Sequence, residues 1–283
     1  MKPPTEFGPR PWQQTSWDAR AATNFILGGT GTGLLVAAAC FFAPQAGWRV
    51  LAALGLVSVA GGLGAVWFEL GRPWRFANVA LNPRTSWMTR EAYASGFVFA
   101  FGAAAVATGA AWPAWLAALA ALAFVYCQSR MLRAAKGIPA WRVRELTPFI
   151  VTTGLAEGTG LALALAPALA GGAPRWVGAF FLAVVVGRIG AWLAYLGAAS
   201  RHAAPRARAG LEAAGRHVVV LGTVIPVVAA AVAFALPAVA AVALALGGLA
   251  ALAAGWRAKH AIVLRAGFNQ GFALPALPVR GAR

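Results

Sequence analysis

Seven of the 283 residues in this chain are acidic, and three of them, Glu69, Glu91 and Glu157, fall inside or at the edge of long apolar runs. Carboxylates in such places are costly to keep and tend to mark proton, ion or substrate paths. The other four, Glu6, Asp18, Glu145 and Glu212, lie in polar segments or at run ends, where solvation or helix capping accounts for them. Glu157 sits near the middle of one apolar run and Arg188 near the middle of the next. A turn around Gly172 would leave them about 15 and 16 residues away, roughly 22–24 Å along each helix at 1.5 Å per residue. The two charges are therefore expected at one depth, as a buried pair. Such a pair either locks two helices together or forms one station on a proton path, and the spacing serves both.

Glu69 and Glu91 are separated by a segment that leaves and re-enters the apolar phase on one face, beside Arg72, Trp74, Trp87 and Arg90. Two carboxylates shielded from water, aromatic walls for a flat ring and a short exit for protons are what quinol oxidation requires. The same residues also suit an interfacial belt of Trp and snorkelling Arg.

Other redox and covalent chemistries find little here. The three histidines, His202, His217 and His260, fall in loops or at the ends of runs, whereas a haem between helices needs facing axial ligands. Cys40 and Cys127 match no metal-ligand spacing, so no haem, iron–sulfur cluster, molybdenum or other metal is expected in this chain. Lys2, Lys136 and Lys259 are placed outside the apolar runs, which argues against Schiff-base chemistry within them.

The elements that must position these groups are helices in a membrane. Hydrophobic residues make up 60% of the chain and charged residues 11%, about half the usual share for a soluble domain. The apolar runs fall near 21–43, 48–69, 91–111, 113–134, 147–170, 175–199, 214–236 and 238–256, each long enough to cross ~30 Å of hydrocarbon. Continuous runs, rather than alternating ones, exclude a β-barrel and predict an all-α bundle of eight transmembrane helices. Residues 1–20 form a polar segment without the pattern of a signal peptide, 21–256 the transmembrane domain and 257–283 a basic tail. Thr85 or Ser86 can cap the third helix, and Thr147 with Pro148 is expected to open the fifth. Pro226 is expected to kink the seventh, and Leu236-Pro237 to divide it from the eighth.

The net charge of +17 does not indicate nucleic acid, because the charges lie in short loops between apolar runs. By this division 21 of the 24 basic residues fall on one side, leaving Arg49 and Arg175 opposite and Arg188 within a span. The positive-inside rule places the rich side, with both termini, in the cytoplasm of a cell whose inner membrane holds the chain.

The stretch Phe68-Glu-Leu-Gly-Arg-Pro-Trp-Arg-Phe76, followed by Asn82-Pro-Arg-Thr-Ser-Trp-Met-Thr-Arg-Glu91, resembles the signature of the DMSO-reductase membrane-anchor family (DmsC-like, within the NrfD-like group of polysulfide-reductase-type membrane subunits). Ile138-Pro-Ala-Trp141, Thr147-Pro148 and the eight-span plan extend the likeness. The resemblance implies a cofactor-free anchor that exchanges menaquinone or ubiquinone and passes electrons to or from a four-cluster iron–sulfur subunit and a molybdopterin catalytic subunit. It places the family's quinol-linked carboxylate on Glu91. Glu69 stands where the family has a histidine, a departure that changes the proton-accepting group. Asn24, followed by Gly28, Gly29 and Gly31, is similar to the family's first helix, where a polar side chain can bond a quinone carbonyl. Arg72, Arg75, Arg84, Arg142 and Arg144 would then serve as a docking face for the iron–sulfur subunit. The stretch from Arg265 to Pro275 resembles the phenylacetyl-CoA oxidoreductase branch. The competing expectation is a secondary transporter or ion-translocating subunit with Glu157 and Arg188 at its midplane. No repeat relates residues 21–134 to 147–256.

Overall fold

A computed structural model describes residues 9–45, 47–68 and 73–272, the backbone alone for 73–76. Eight apolar helices long enough to span a membrane form the bundle: α1 Ala19–Phe42, α2 Trp48–Trp67, α3 Trp87–Thr108, α4 Ala111–Ala134, α5 Leu146–Leu169, α6 Arg175–Ser200, α7 Pro205–Ala235 and α8 Pro237–Arg265. The protein is thus an all-α, multi-pass membrane bundle.

Their starts and stops follow local chemistry. Ser86 caps α3 by accepting from the Thr89 amide at 3.3 Å, as its place before the apolar run predicts. Gly109, with φ of 72°, ends α3 in the left-handed conformation. Arg49, from the sparsely charged side, donates to the carbonyls of Val106 and Ala107 beside it. α8 opens with a short 3-10 turn over Pro237–Val239, just after α7 ends at Ala235.

Three expectations are corrected. α5 opens at Leu146 without a side-chain cap, because the Thr147 hydroxyl is turned to Ser129 and Arg133 on α4. The connection between the sixth and seventh runs is helical from Pro205, since its Arg and Ala residues favour helix as well as water. Likewise α8 does not stop before Arg257 but continues to Arg265, so part of the expected tail, including Lys259, belongs to the span.

α1 is the central helix, with 83% of its apolar window buried against α2, α4, α5 and α8. Its glycines allow this. A Cβ on Gly33 would land on the Gly154 carbonyl oxygen, one on Gly158 would strike Gly33, and one on Gly248 of α8 would strike the Gly160 carbonyl. Small residues replacing bulk at helix contacts is how bundles gain close packing in lipid, where no hydrophobic drive separates helix from tail.

The two described ends of the chain meet on one side of the bundle. The Gln14 amide donates to the Gly267 carbonyl at 2.8 Å, Asn269 to Trp12 at 3.0 Å and Phe272 to Pro9 at 2.8 Å, forming an antiparallel clasp. Trp141 anchors it by stacking on Trp17 at 5.0 Å and donating its indole N–H to the Ile262 carbonyl at 2.7 Å. The Ile138–Trp141 motif is therefore a structural bracket for both ends.

Candidate functional site

Two polar clusters flank α1, which carries Asn24, Gly28, Gly29 and Thr30 within two turns. The first joins α1, α3 and α4. Asn24 donates through Nδ2 to Glu91 Oε1 at 3.2 Å, and Gln128 Nε2 donates to the Asn24 main-chain carbonyl at 3.1 Å. All three side chains are buried. Glu91 reaches this depth because Ser86 starts α3 one turn earlier, while the Thr89 hydroxyl ties the helix to the Val79 carbonyl. Gly28 makes room for the Gln128 amide, which a Cβ would meet at 2.6 Å. Asn24 Oδ1 and Gln128 Oε1 have no hydrogen-bond partner among the described residues. Two amide oxygens thus present acceptors without donors, beside a carboxylate that accepts from Asn24. Buried polar atoms left in that state call for a donor from outside the fold.

Trp87, one turn before Glu91, takes the guanidiniums of Arg90 and Arg130 over its ring at 4.2 and 4.4 Å, with Tyr126 edge-on at 5.9 Å. Trp87 is a cation–π platform. Arg84, Arg142 and Arg144 are exposed on the side of the bundle that holds the clasp. Glu69 and Arg72 lie outside the described residues, as does the side chain of Arg75.

The second cluster joins α1, α5 and α8. Lys259 Nζ lies 2.6 Å from Glu157 Oε2, both side chains wholly buried, and the Thr30 hydroxyl donates to the same oxygen at 2.9 Å. Trp256 Nε1 donates to the Thr30 oxygen at 3.0 Å. Glu157 Oε1 has no partner among the described residues. The side chains fit because Gly29 and Gly255 leave space: a Cβ on the first would strike Lys259 and one on the second Glu157.

The expected Glu157–Arg188 ion pair is therefore corrected. Both residues are buried, but Glu157 pairs with Lys259, and Arg188 bonds main-chain carbonyls. Its Nη1 donates to Ala251 at 3.0 Å and its Nη2 to Gly222. Gly222 has a carbonyl to offer because Pro226, four residues on, has no N–H to return to it. Pro226, the residue expected to kink α7, follows a π-helical turn, Val220–Val224, that receives an arginine.

Gln128, Thr30, Trp256 and Lys259 were missed by the sequence reading. A lone Gln within the apolar run of α4 was a usable signal. Lys259 was hidden by Arg257 and His260 beside it, which made the end of α8 read as tail. Among the described residues no three His, Cys, Asp or Glu side chains gather as a metal set.

No protein-family model and no curated protein matches the chain. The chemistry of the clusters must be read from their geometry. The first is rich in acceptors and suits a hydroxyl-bearing ligand that gives up protons. The second sets a single carboxylate among two cations, Lys259 and, more distantly, Arg188.

Proposed function

We propose that this protein is the membrane anchor and quinone-reactive subunit of an oxidoreductase complex, exchanging electrons between the quinone pool and a partner iron–sulfur subunit that serves a molybdopterin catalytic subunit. The observation that carries the reading is the acceptor-rich cluster of Asn24, Glu91 and Gln128. A quinol carries two hydroxyl donors, and its oxidation releases two protons and two electrons. Asn24 Oδ1 and Gln128 Oε1 supply acceptors for the hydroxyls; Glu91 takes up one proton and the second is released to water at the basic face of the bundle. The electrons leave to the partner, since this chain is expected to hold no redox centre of its own; quinone reduction is the reverse. The resemblance of residues 68–91 to the DMSO-reductase anchor signature supports the same assignment to Glu91. The positive-inside distribution supports an inner-membrane protein with its basic face in the cytoplasm, where Arg84, Arg142 and Arg144 would dock an acidic partner.

Binding of a hydroxyquinoline N-oxide quinol analogue to the purified complex tests this. Glu91→Gln is expected to weaken binding and quinol turnover at least tenfold while the complex still assembles. Unchanged binding and turnover in that variant would remove the site assignment.

A second reading, an ion-translocating subunit or secondary transporter, is favoured by the buried Glu157–Lys259 pair in the bundle interior. In proteoliposomes it requires Glu157→Gln to abolish ion movement while quinol-analogue binding persists. A well-assembled and fully active Glu157→Gln protein would refute it.

A further inference from the structure

A cleft of about 480 Å³ opens between α7, α8 and the start of α1, away from the acceptor-rich cluster. That volume lies within the roughly 300–1,000 Å³ usual for ligand clefts. Five of its lining residues are basic or imidazole side chains: Arg216, His217, Arg257, His260 and Arg265. Among the described residues no carboxylate lines it. Among the described residues none of the three arginines makes an ion pair or a hydrogen bond through its side chain. The nearest acidic side chain along α7, Glu212, is taken by Arg208 at 2.7 Å. His217 turns Nδ1 to the Ala213 carbonyl, leaving Nε2 as its remaining polar atom.

The rest of the lining is apolar. Ile26 on α1 and the indole of Trp256 form part of the wall beneath the cations. The cleft also lies where the helices change character. α7 is polar from Pro205 to His217 and apolar beyond, while α8 is apolar up to Gly255 and basic from Arg257. A Trp at such a junction marks the membrane–water boundary. The cations therefore stand at headgroup level with a greasy wall leading toward the hydrocarbon.

We propose that this cleft binds the phosphodiester headgroup of an anionic phospholipid. Arginine forks match phosphate oxygens through paired, charge-assisted hydrogen bonds. Basic pockets between transmembrane helices are where anionic headgroups are held. The apolar wall favours a lipid over free phosphate, because only the lipid has acyl chains to lie against Ile26 and Trp256. The site is independent of the quinol reading.

The test uses the purified full-length chain, delipidated and examined by native mass spectrometry after exposure to vesicles of phosphatidylglycerol or of phosphatidylcholine. One retained phosphatidylglycerol per chain is expected, with phosphatidylcholine retained at least tenfold less. Arg216→Gln/Arg257→Gln should lose the adduct. Arg201→Gln/Arg206→Gln, which removes the same charge from exposed positions outside the cleft, should keep it. Gel filtration and the melting profile establish that both variants are folded; if the cleft double variant fails to fold, Arg265→Gln alone replaces it. Equal adducts in the cleft and control variants would overturn the proposal, as would equal retention of the two lipids. Displacement by millimolar inorganic phosphate would also overturn it, by making the ligand a soluble phosphate.

Discussion

Removing Lys259 alone should destabilise this protein more than removing Lys259 and Glu157 together. In Lys259→Met the Glu157 carboxylate stays wholly buried, keeps only the Thr30 hydroxyl among its present donors and still has Oε1 unpartnered. Breaking a buried pair in this way costs about 3–5 kcal/mol, because the surviving charge has been taken from water without compensation. At about 2–4 °C per kcal/mol for a chain of this order, the apparent Tm should fall by roughly 6–20 °C. Glu157→Gln should do comparable damage, since it strands Lys259 with Arg188 as its nearest charged neighbour. In the double variant Glu157→Gln/Lys259→Met both charges are gone, and most of the loss should return. The cycle is read from intrinsic-fluorescence melting of the four proteins in one detergent. A coupling energy of at least about 2 kcal/mol is expected, well beyond the ~0.5 kcal/mol within which independent sites add. Additive single effects would refute the reasoning that the pair exists to neutralise its own members.

Gly33→Ala should block assembly of α1 against α5, because the new Cβ would land on the Gly154 carbonyl; Gly64→Ala, with open space around it, should express as the parent. The comparison is read by gel filtration. Asn269 Oδ1 accepts from the amides of Trp12 and Gly271, so Asn269→Ala should raise hydrogen exchange across residues 9–14 while leaving α5 protected. Asp18 lies outside the spans and is held below its ordinary 3.8 by hydrogen bonds from Arg20. The stability its charge supplies is complete above that ordinary value and is lost as pH falls through the lower folded one. The small Tm difference between wild type and Asp18→Asn should therefore shrink on acidification from pH 5 toward pH 3, and a difference that grows would contradict the sign.

The bundle was legible because lipid imposes one rule, continuous apolar length, and eight stretches obey it. Charged ends were harder. Arg257, Lys259 and His260 end the hydropathy of α8 while its backbone hydrogen bonds continue to Arg265, so a buried lysine read as tail. Burial was legible too, but helix rotation was not. Glu157 and Arg188 were placed by their distance from a turn, which says nothing of which face each presents. The glycines decide that face: Gly29 and Gly255 clear the space where Glu157 and Lys259 meet. A pattern of missing side chains on two distant helices is visible only once the helices are side by side. The same holds for Asn24 and Glu91, which are 67 positions apart and share a hydrogen bond that no spacing rule connects.

The separation between Glu157 and Lys259 also has a consequence for how the chain is made. They are 102 positions apart, so at 5–20 residues per second the ribosome adds the lysine roughly 5–20 s after the glutamate. Throughout that interval α5 exists as a helix whose central carboxylate lacks its counter-ion. α1, the innermost helix, is synthesised first and has no α5 or α8 to receive its glycine face until most of the chain exists. Assembly therefore finishes from the C-terminal side, when α8 delivers the cation that closes the interior. A chain released before Lys259 would carry a stranded charge in the bilayer, a mark by which membrane proteases could distinguish unfinished molecules from complete ones.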